Sequence, residues 1–193
     1  MASHSPSRGL LPKILSLSAG RVIQDVLLAV LLLWLARIDR SGYGLFVLGA
    51  GAAGIVRAAL SLGLDDFALR QLSAEEAMRR PLLTRVVEIK AGLGAFIMIS
   101  LVSFALLKGW GSAQTIVVVV VLGGRAMDSI IDAFFNLFRA EGRQVREGLL
   151  RTVSNLAGAL YGGTCLFLGA GISVFSLCVV VESGLNLLLS LAG

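Results

Sequence analysis

Six apolar blocks, each near twenty residues long, run through this chain and leave it few ways to fold. They cover residues 15–36, 44–64, 82–107, 113–136, 149–169 and 172–191. About twenty apolar residues are what an α-helix needs to cross the hydrocarbon of a bilayer. In hydrocarbon every backbone N–H and C=O must pair inside the protein, so a spanning segment is a helix or a strand of a closed barrel. Barrel strands alternate apolar and polar residues over about ten positions. The stretch 26–36 does not alternate, which leaves helices. The fold expected is an all-α bundle of about six transmembrane helices in a single membrane domain.

The composition agrees. Hydrophobic residues make up 56% of the 193, against roughly 45–50% in a soluble domain, and the mean hydropathy is +0.88. A formal charge of +5 would suggest nucleic acid as a partner for a soluble chain. Here the basic residues sit at block ends and inside blocks, so the membrane accounts for them and no nucleic-acid partner is expected. Cys165 and Cys178 both fall in apolar runs, with no CxxC and no Cys/His cluster. Neither a disulfide framework nor a metal site follows. The one histidine, His4, lies in the polar N-terminal stretch, which removes most histidine-based catalysis. No cofactor and no enzymatic activity are expected. The first apolar block is too long for a cleavable signal peptide and lacks an A-x-A site.

The connections are short. Asp39-Arg40-Ser41-Gly42, Gly109-Trp110-Gly111-Ser112 and Gly169-Ala170-Gly171 read as turns, with Trp110 as an interfacial anchor. The longest connection, 65–81, mixes Asp65, Asp66, Arg70, Arg79 and Arg80 with Phe67, Leu69, Leu72 and Met78. That mixture predicts a short helix on the membrane surface, ended by Pro81. Lys and Arg set the orientation. Arg8, Lys13, Arg70, Arg79, Arg80, Arg85, Arg139, Arg143 and Arg146 lie on one side, against Arg37, Arg40 and Lys108 on the other. The richer side is cytoplasmic, so both termini are expected inside.

Charges within spans cost at least about 2.5–3.5 kcal/mol each near the helix centre, and this chain carries many. Arg125, Asp128, Asp132, Asn136 and Arg139 form one stripe on a helix, at offsets 0, 3, 7, 11 and 14. Glu147, Arg151, Ser154, Gly158 and Tyr161 form another. Arg21 and Asp25 are an i,i+4 pair, Arg57 lies in the second block and Glu88 in the third. Almost all fall in the inner half of the bilayer, with Glu182 nearer the middle. Such stripes must face other helices or water. The shallower Arg85, Lys90, Arg139, Arg146, Glu147 and Arg151 read as structural pairs or as side chains reaching the inner interface. The deeper Arg21, Arg57 and Arg125 suit an anion, because a guanidinium fork matches phosphate. Asp25, Glu88, Asp128 and Asp132 would balance their charge or couple an ion. The spacing thus predicts a charged interior open toward the cytoplasm. Glycines within the blocks read as helix packing.

Several segments resemble a known family. Arg21, then Leu35-Ala36-Arg37 and Ser41-Gly42-Tyr43-Gly44-Leu45-Phe46, are similar to the start of bacterial polysaccharide-biosynthesis flippases. These export O-antigen and other lipid-linked oligosaccharides and belong to the multidrug/oligosaccharidyl-lipid/polysaccharide exporter superfamily. The stretch 61–72 resembles that family's exit from the second span, and Phe138-Arg139-Ala140-Glu141-Gly142-Arg143 its fourth-to-fifth turn. The resemblance implies a multi-pass protein of the bacterial inner membrane that flips an undecaprenyl-pyrophosphate-linked oligosaccharide. Membrane lipids and that glycan are then its partners. Family members have twelve to fourteen spans in two lobes. About six spans correspond to the N-terminal lobe alone, so a second lobe or a second copy is expected as a partner. The alternatives are a drug/cation antiporter of the same superfamily, with the carboxylates binding the coupling ion, and a truncated membrane protein that transports nothing.

The charge asymmetry makes a direct prediction. Reporter fusions after Gly42, Gly111 and Gly171 will read as periplasmic, and fusions within 65–81 and 139–146 as cytoplasmic. A cytoplasmic signal at Gly111 contradicts the six-span topology.

Overall fold

The computed structural model describes residues 10–74 and 77–192, with side chains from residue 22 onward except 23 and 24. It is helical throughout, with no strand among the described residues. The helices are α1 (Leu10–Ile38), α2 (Arg40–Ser61), α3 (Leu64–Ala74), α4 (Arg79–Leu107), α5 (Ser112–Ala140), α6 (Gln144–Phe167) and α7 (Ile172–Leu191). Each apolar block lies largely within one long helix, and the mixed segment after the second block contains α3. Among the described residues three helices, α2, α4 and α7, are long and apolar enough to cross a membrane. The chain therefore has the helices of a membrane protein. α5 and α6 are also 29 and 24 residues long, about 43 and 36 Å at 1.5 Å per residue, but each carries a stripe of charged and polar residues along one face.

The turns follow from local chemistry. Between α1 and α2 stands the single residue Asp39, whose Oδ1 accepts from the Gly42 N–H at 2.9 Å and the Ser41 hydroxyl at 2.7 Å. It caps α2. Those bonds, the Gly42 amide first, hold its carboxyl below the usual aspartate range. α4 and α6 end alike. Gly109 and Gly169 take φ of +64° and +68°, a conformation open to glycine with little strain. Trp110 N–H then reaches back to Ala105 O, and Ala170 N–H to Cys165 O. These 6→1 bonds satisfy carbonyls that the helix end leaves open. Trp110 packs edge-on against Phe104, ring centroids 6.1 Å apart.

α5 is the central helix and touches α2, α3, α4, α6 and α7, while α1 lies against α6 and α2. At the end bearing the α1–α2, α4–α5 and α6–α7 turns the core is apolar. Val117, Val118, Val121 and Leu122 meet Phe46, Ala53, Cys165, Leu166, Phe175 and Val179 there. Phe46 and Phe175 make a T-shaped pair at 5.4 Å. At the other end α3 seats Ala68 and Leu72 on Val86 and Ala133. Phe67 on α3 stays exposed.

Small residues set how close the helices come. A Cβ on Gly124 would stand 2.7 Å from Val179 Cγ1 and 3.3 Å from its carbonyl oxygen. A Cβ on Gly158 would stand 2.8 Å from Glu182 Cβ and 3.1 Å from Cys178 O. α7 is thus wedged against α5 and α6 at two glycines, in the manner of membrane helix interfaces. Gly51, Gly54 and Gly92 face open space instead. Gly124→Ala and Gly158→Ala are therefore expected to lower thermal stability in detergent, by about 1–3 kcal/mol for an overpacked site. Gly51→Ala and Gly54→Ala should leave it unchanged. Equal tolerance at all four positions would contradict this packing.

Candidate functional site: a ladder of alternating charges

The stripe on α5 meets a partner on another helix at every polar position. Asp132 sits between two arginines. Its Oδ2 accepts from Arg57 Nη2 of α2 at 2.6 Å, and its Oδ1 from Arg151 Nη2 of α6 at 2.9 Å. Arg151 Nε also donates to Glu147 Oε1 at 3.2 Å. Glu147 in turn takes a two-pronged bond from Arg139, Nη2 at 2.6 Å and Nε at 2.8 Å. Arg139 Nη1 reaches Asn136 Oδ1 at 3.4 Å, and Asn136 Nδ2 donates to Asp65 Oδ1 at 3.3 Å. Asp65 finally accepts from Lys90 Nζ at 2.6 Å. Arg57, Asp132, Arg151, Glu147, Arg139, Asn136, Asp65 and Lys90 thus form one continuous chain of bonds across five helices. The charges along it alternate in sign.

A shorter branch lies closer to the apolar core. Arg125 Nη1 donates to Asp128 Oδ2 at 2.8 Å, and Ser183 of α7 donates to Asp128 Oδ1 at 2.6 Å. Glu182 Oε1 lies 3.9 Å from Arg125 Nη1. Between branch and ladder is a small polar cavity of about 30 Å³.

Burial explains the pairing. The Lys90 and Glu147 side chains are fully buried. Neither reaches an interface, so each needs its partner. An unpaired charge at such a position would cost several kcal/mol. Lys90 Nζ gains a further bond from the Ser129 carbonyl at 2.7 Å. Arg151 lies over the Phe135 ring at 4.3 Å, which adds a cation–π contact. The Arg57 side chain is the exception, 41% exposed at the open end of the ladder.

Of the residues singled out from the sequence, Arg57, Arg125, Asp128 and Asp132 come together around the cavity. Arg21 lies on α1 with its side chain outside the described residues. Asp25 and Glu88 do not join the ladder, and both side chains are exposed. α1 buries Leu31 and Leu35. Asp25, six residues before Leu31, falls about 120° away around the helix at 100° per residue, and it is exposed. α4 buries Val86, Lys90 and Gly94. Glu88 lies two residues from Val86 and from Lys90, about 160° around, and is exposed too. Arg151, read from the sequence as a structural pair or a side chain reaching the interface, is a paired junction of the ladder, held by Asp132 and Glu147. Glu147, Glu182, Asn155 and Asn186 also belong to this interior.

No family model, curated protein or solved structure matches this chain.

The far end of the ladder generates a test. Lys90 ties α3 to α4 and α5 through Asp65. Lys90→Met should loosen α3 and speed tryptic cleavage at Arg70 and Arg79 in membranes. Adding Asp65→Leu, which removes the stranded carboxylate, should restore protection. If Lys90→Met is cleaved no faster, the pair does not hold α3.

Proposed function

We propose that the chain is one lobe of a flippase that moves a lipid-pyrophosphate-linked oligosaccharide across the bacterial inner membrane. All six long helices cross the bilayer, with both termini inside. The lobe acts with a second lobe or a second copy. The observation that carries this reading is Arg57. It ends a buried ladder of alternating charges, it is held by Asp132, and its side chain is 41% exposed. A guanidinium so placed can exchange a carboxylate for a phosphate oxygen without leaving a charge unpaired, and its fork suits either group. Arg125 and Arg151 lie behind it around the same cavity.

The size of the cavity bears on the model. At about 30 Å³ it cannot admit a sugar. The glycan and its lipid therefore pass along the outside of this bundle, and only the anion is read by the arginines. The undecaprenyl carrier rests on the family resemblance alone.

A second reading has one observation in its favour. Asp128, Asp132 and Glu182 converge on the cavity, which suits a drug/cation antiporter whose carboxylates take the coupling ion. Complementation separates the two. Under the flippase reading, Arg57→Ala and Arg125→Ala abolish glycan export in a strain lacking its own exporter, while the protein inserts at normal levels. Arg57→Lys keeps the charge but loses the fork and should recover export only in part. Normal export in both Ala variants would refute the anion-binding role. Loss of cation efflux with glycan export intact would favour the antiporter.

A further inference from the structure

Two buried amides line the polar cavity, and each has one polar atom without a protein partner. Asn155 and Asn186 are each 6% exposed. Asn155 Nδ2 and Asn186 Oδ1 are buried and meet no hydrogen-bonding group of the protein. Both residues line the cavity. An unmet buried amide group costs about 1–3 kcal/mol, so such groups are as a rule satisfied.

The lining identifies what satisfies them. Arg57, Arg125 and Arg151 contribute three positive charges, and Asp128, Asp132 and Glu182 three negative ones. The wall is balanced and its charges are paired with one another, so with no substrate at the exposed Arg57 end the enclosed space draws neither an anion nor a cation between these groups. The orphaned atoms are one donor and one acceptor, which a neutral molecule with both functions serves in either orientation of the amides. A space of about 30 Å³ accommodates one or two water molecules, each needing about 10–15 Å³ by this measure. Arg125 and Glu182, 3.9 Å apart, are beyond a direct hydrogen bond and open to a bridging one. The neighbouring cavity under α1, lined by Leu27, Leu28 and Leu31 on that side, offers fewer polar groups.

We propose that this cavity is a built water site, in which one or two ordered waters bridge Asn155 and Asn186 and solvate the ladder's ions inside the bundle. The inference is independent of what the chain transports. Its consequence is mechanical. Ion pairs in a dry interior cannot exchange partners without passing through an unpaired state. With a bound water present, Arg57, Arg125 and Arg151 can shift between carboxylates while staying hydrogen-bonded.

Radiolytic footprinting in ¹⁸O-water tests this, since hydroxyl radicals formed at a bound water label the side chains beside it. Ile131 lines the cavity and is 1% exposed; Val117 is 0% exposed in the apolar core; Phe67 is 52% exposed. The intact protein should gain label at Ile131 and Phe67 and none at Val117. Label at Phe67 without label at Ile131 overturns the proposal. Asn155→Leu with Asn186→Leu should abolish labelling at Ile131 and keep it at Phe67. Retention at Ile131 overturns the role of the amides. Replacing sodium with choline should change nothing, and a sodium-dependent pattern would mean a cation site instead. Where the double variant fails to fold, the intact protein's pattern decides alone.

Discussion

One carboxylate, Asp132, holds two arginines from two different helices, and the inner half of the bundle is organised around that arrangement. A charge on the central helix of an apolar bundle is tolerable only if neighbouring helices bring the opposite sign to it. Asp132 therefore sets the rotation of α5 and the facing positions on α2 and α6. The remaining stripe residues follow at helical spacing. Arg139 falls opposite Glu147, and Asn136 opposite Asp65. The ladder is less a set of separate salt bridges than one network in which each member neutralises its neighbour. Removing a shared rung loosens two neighbours at once, whereas removing an end loosens one.

The same constraint divides the molecule along its length. Toward the α1–α2 turn the helices are joined by close packing of valines, phenylalanines and glycines, which in lipid relies on contact more than on expulsion of water. Toward α3 they are joined by ions. The long, mostly apolar α2, α4 and α7 can cross a membrane on composition alone. α5 and α6 have charge concentrated on their inner faces and rely on the others to cover it. α3 lies across this charged end, docked by Ala68 and Leu72 and fastened by Asp65 to Lys90.

The sequence made the helices legible and the pairing only partly so. Blocks of twenty apolar residues and glycine turns left no competing secondary structure, and the alternation of charge and apolar residues after the second block marked α3. The inward face of α5 was legible because Arg125, Asp128, Asp132, Asn136 and Arg139 repeat at helical spacing on an otherwise apolar helix. α1 and α4 carry no such pattern, being apolar nearly all round. Nothing in their composition says which face is covered, so the exposure of Asp25 and Glu88 was not legible. Between a structural pair and a side chain reaching the interface, the sequence left Arg151 open, since a long side chain can turn either way and only Asp132, Glu147 and Phe135 decide it. The bond between Lys90 and Asp65, and the placing of Asn155 and Asn186 around one cavity, bring separate helices together and leave no trace in local spacing.

The account stands or falls on whether deep charge is held inside the bundle at Asp132 and not at the exposed acids. Unfolding free energies in lipid nanodiscs, for Asp132→Asn beside Asp25→Asn and Glu88→Gln, test this most directly. Asp132→Asn keeps the shape and removes the charge, leaving Arg57 and Arg151 without the carboxylate that joins them. Its stability should fall by about 1–3 kcal/mol, as for lost hydrogen bonds to a charged group, since Arg151 keeps Glu147 and Arg57 is part exposed. Asp25→Asn and Glu88→Gln should leave stability unchanged or raise it, because each removes a charge from an exposed face at span depth. Stability retained in Asp132→Asn, with losses at Asp25 or Glu88, would contradict the ladder and place the membrane protein's charged interior elsewhere.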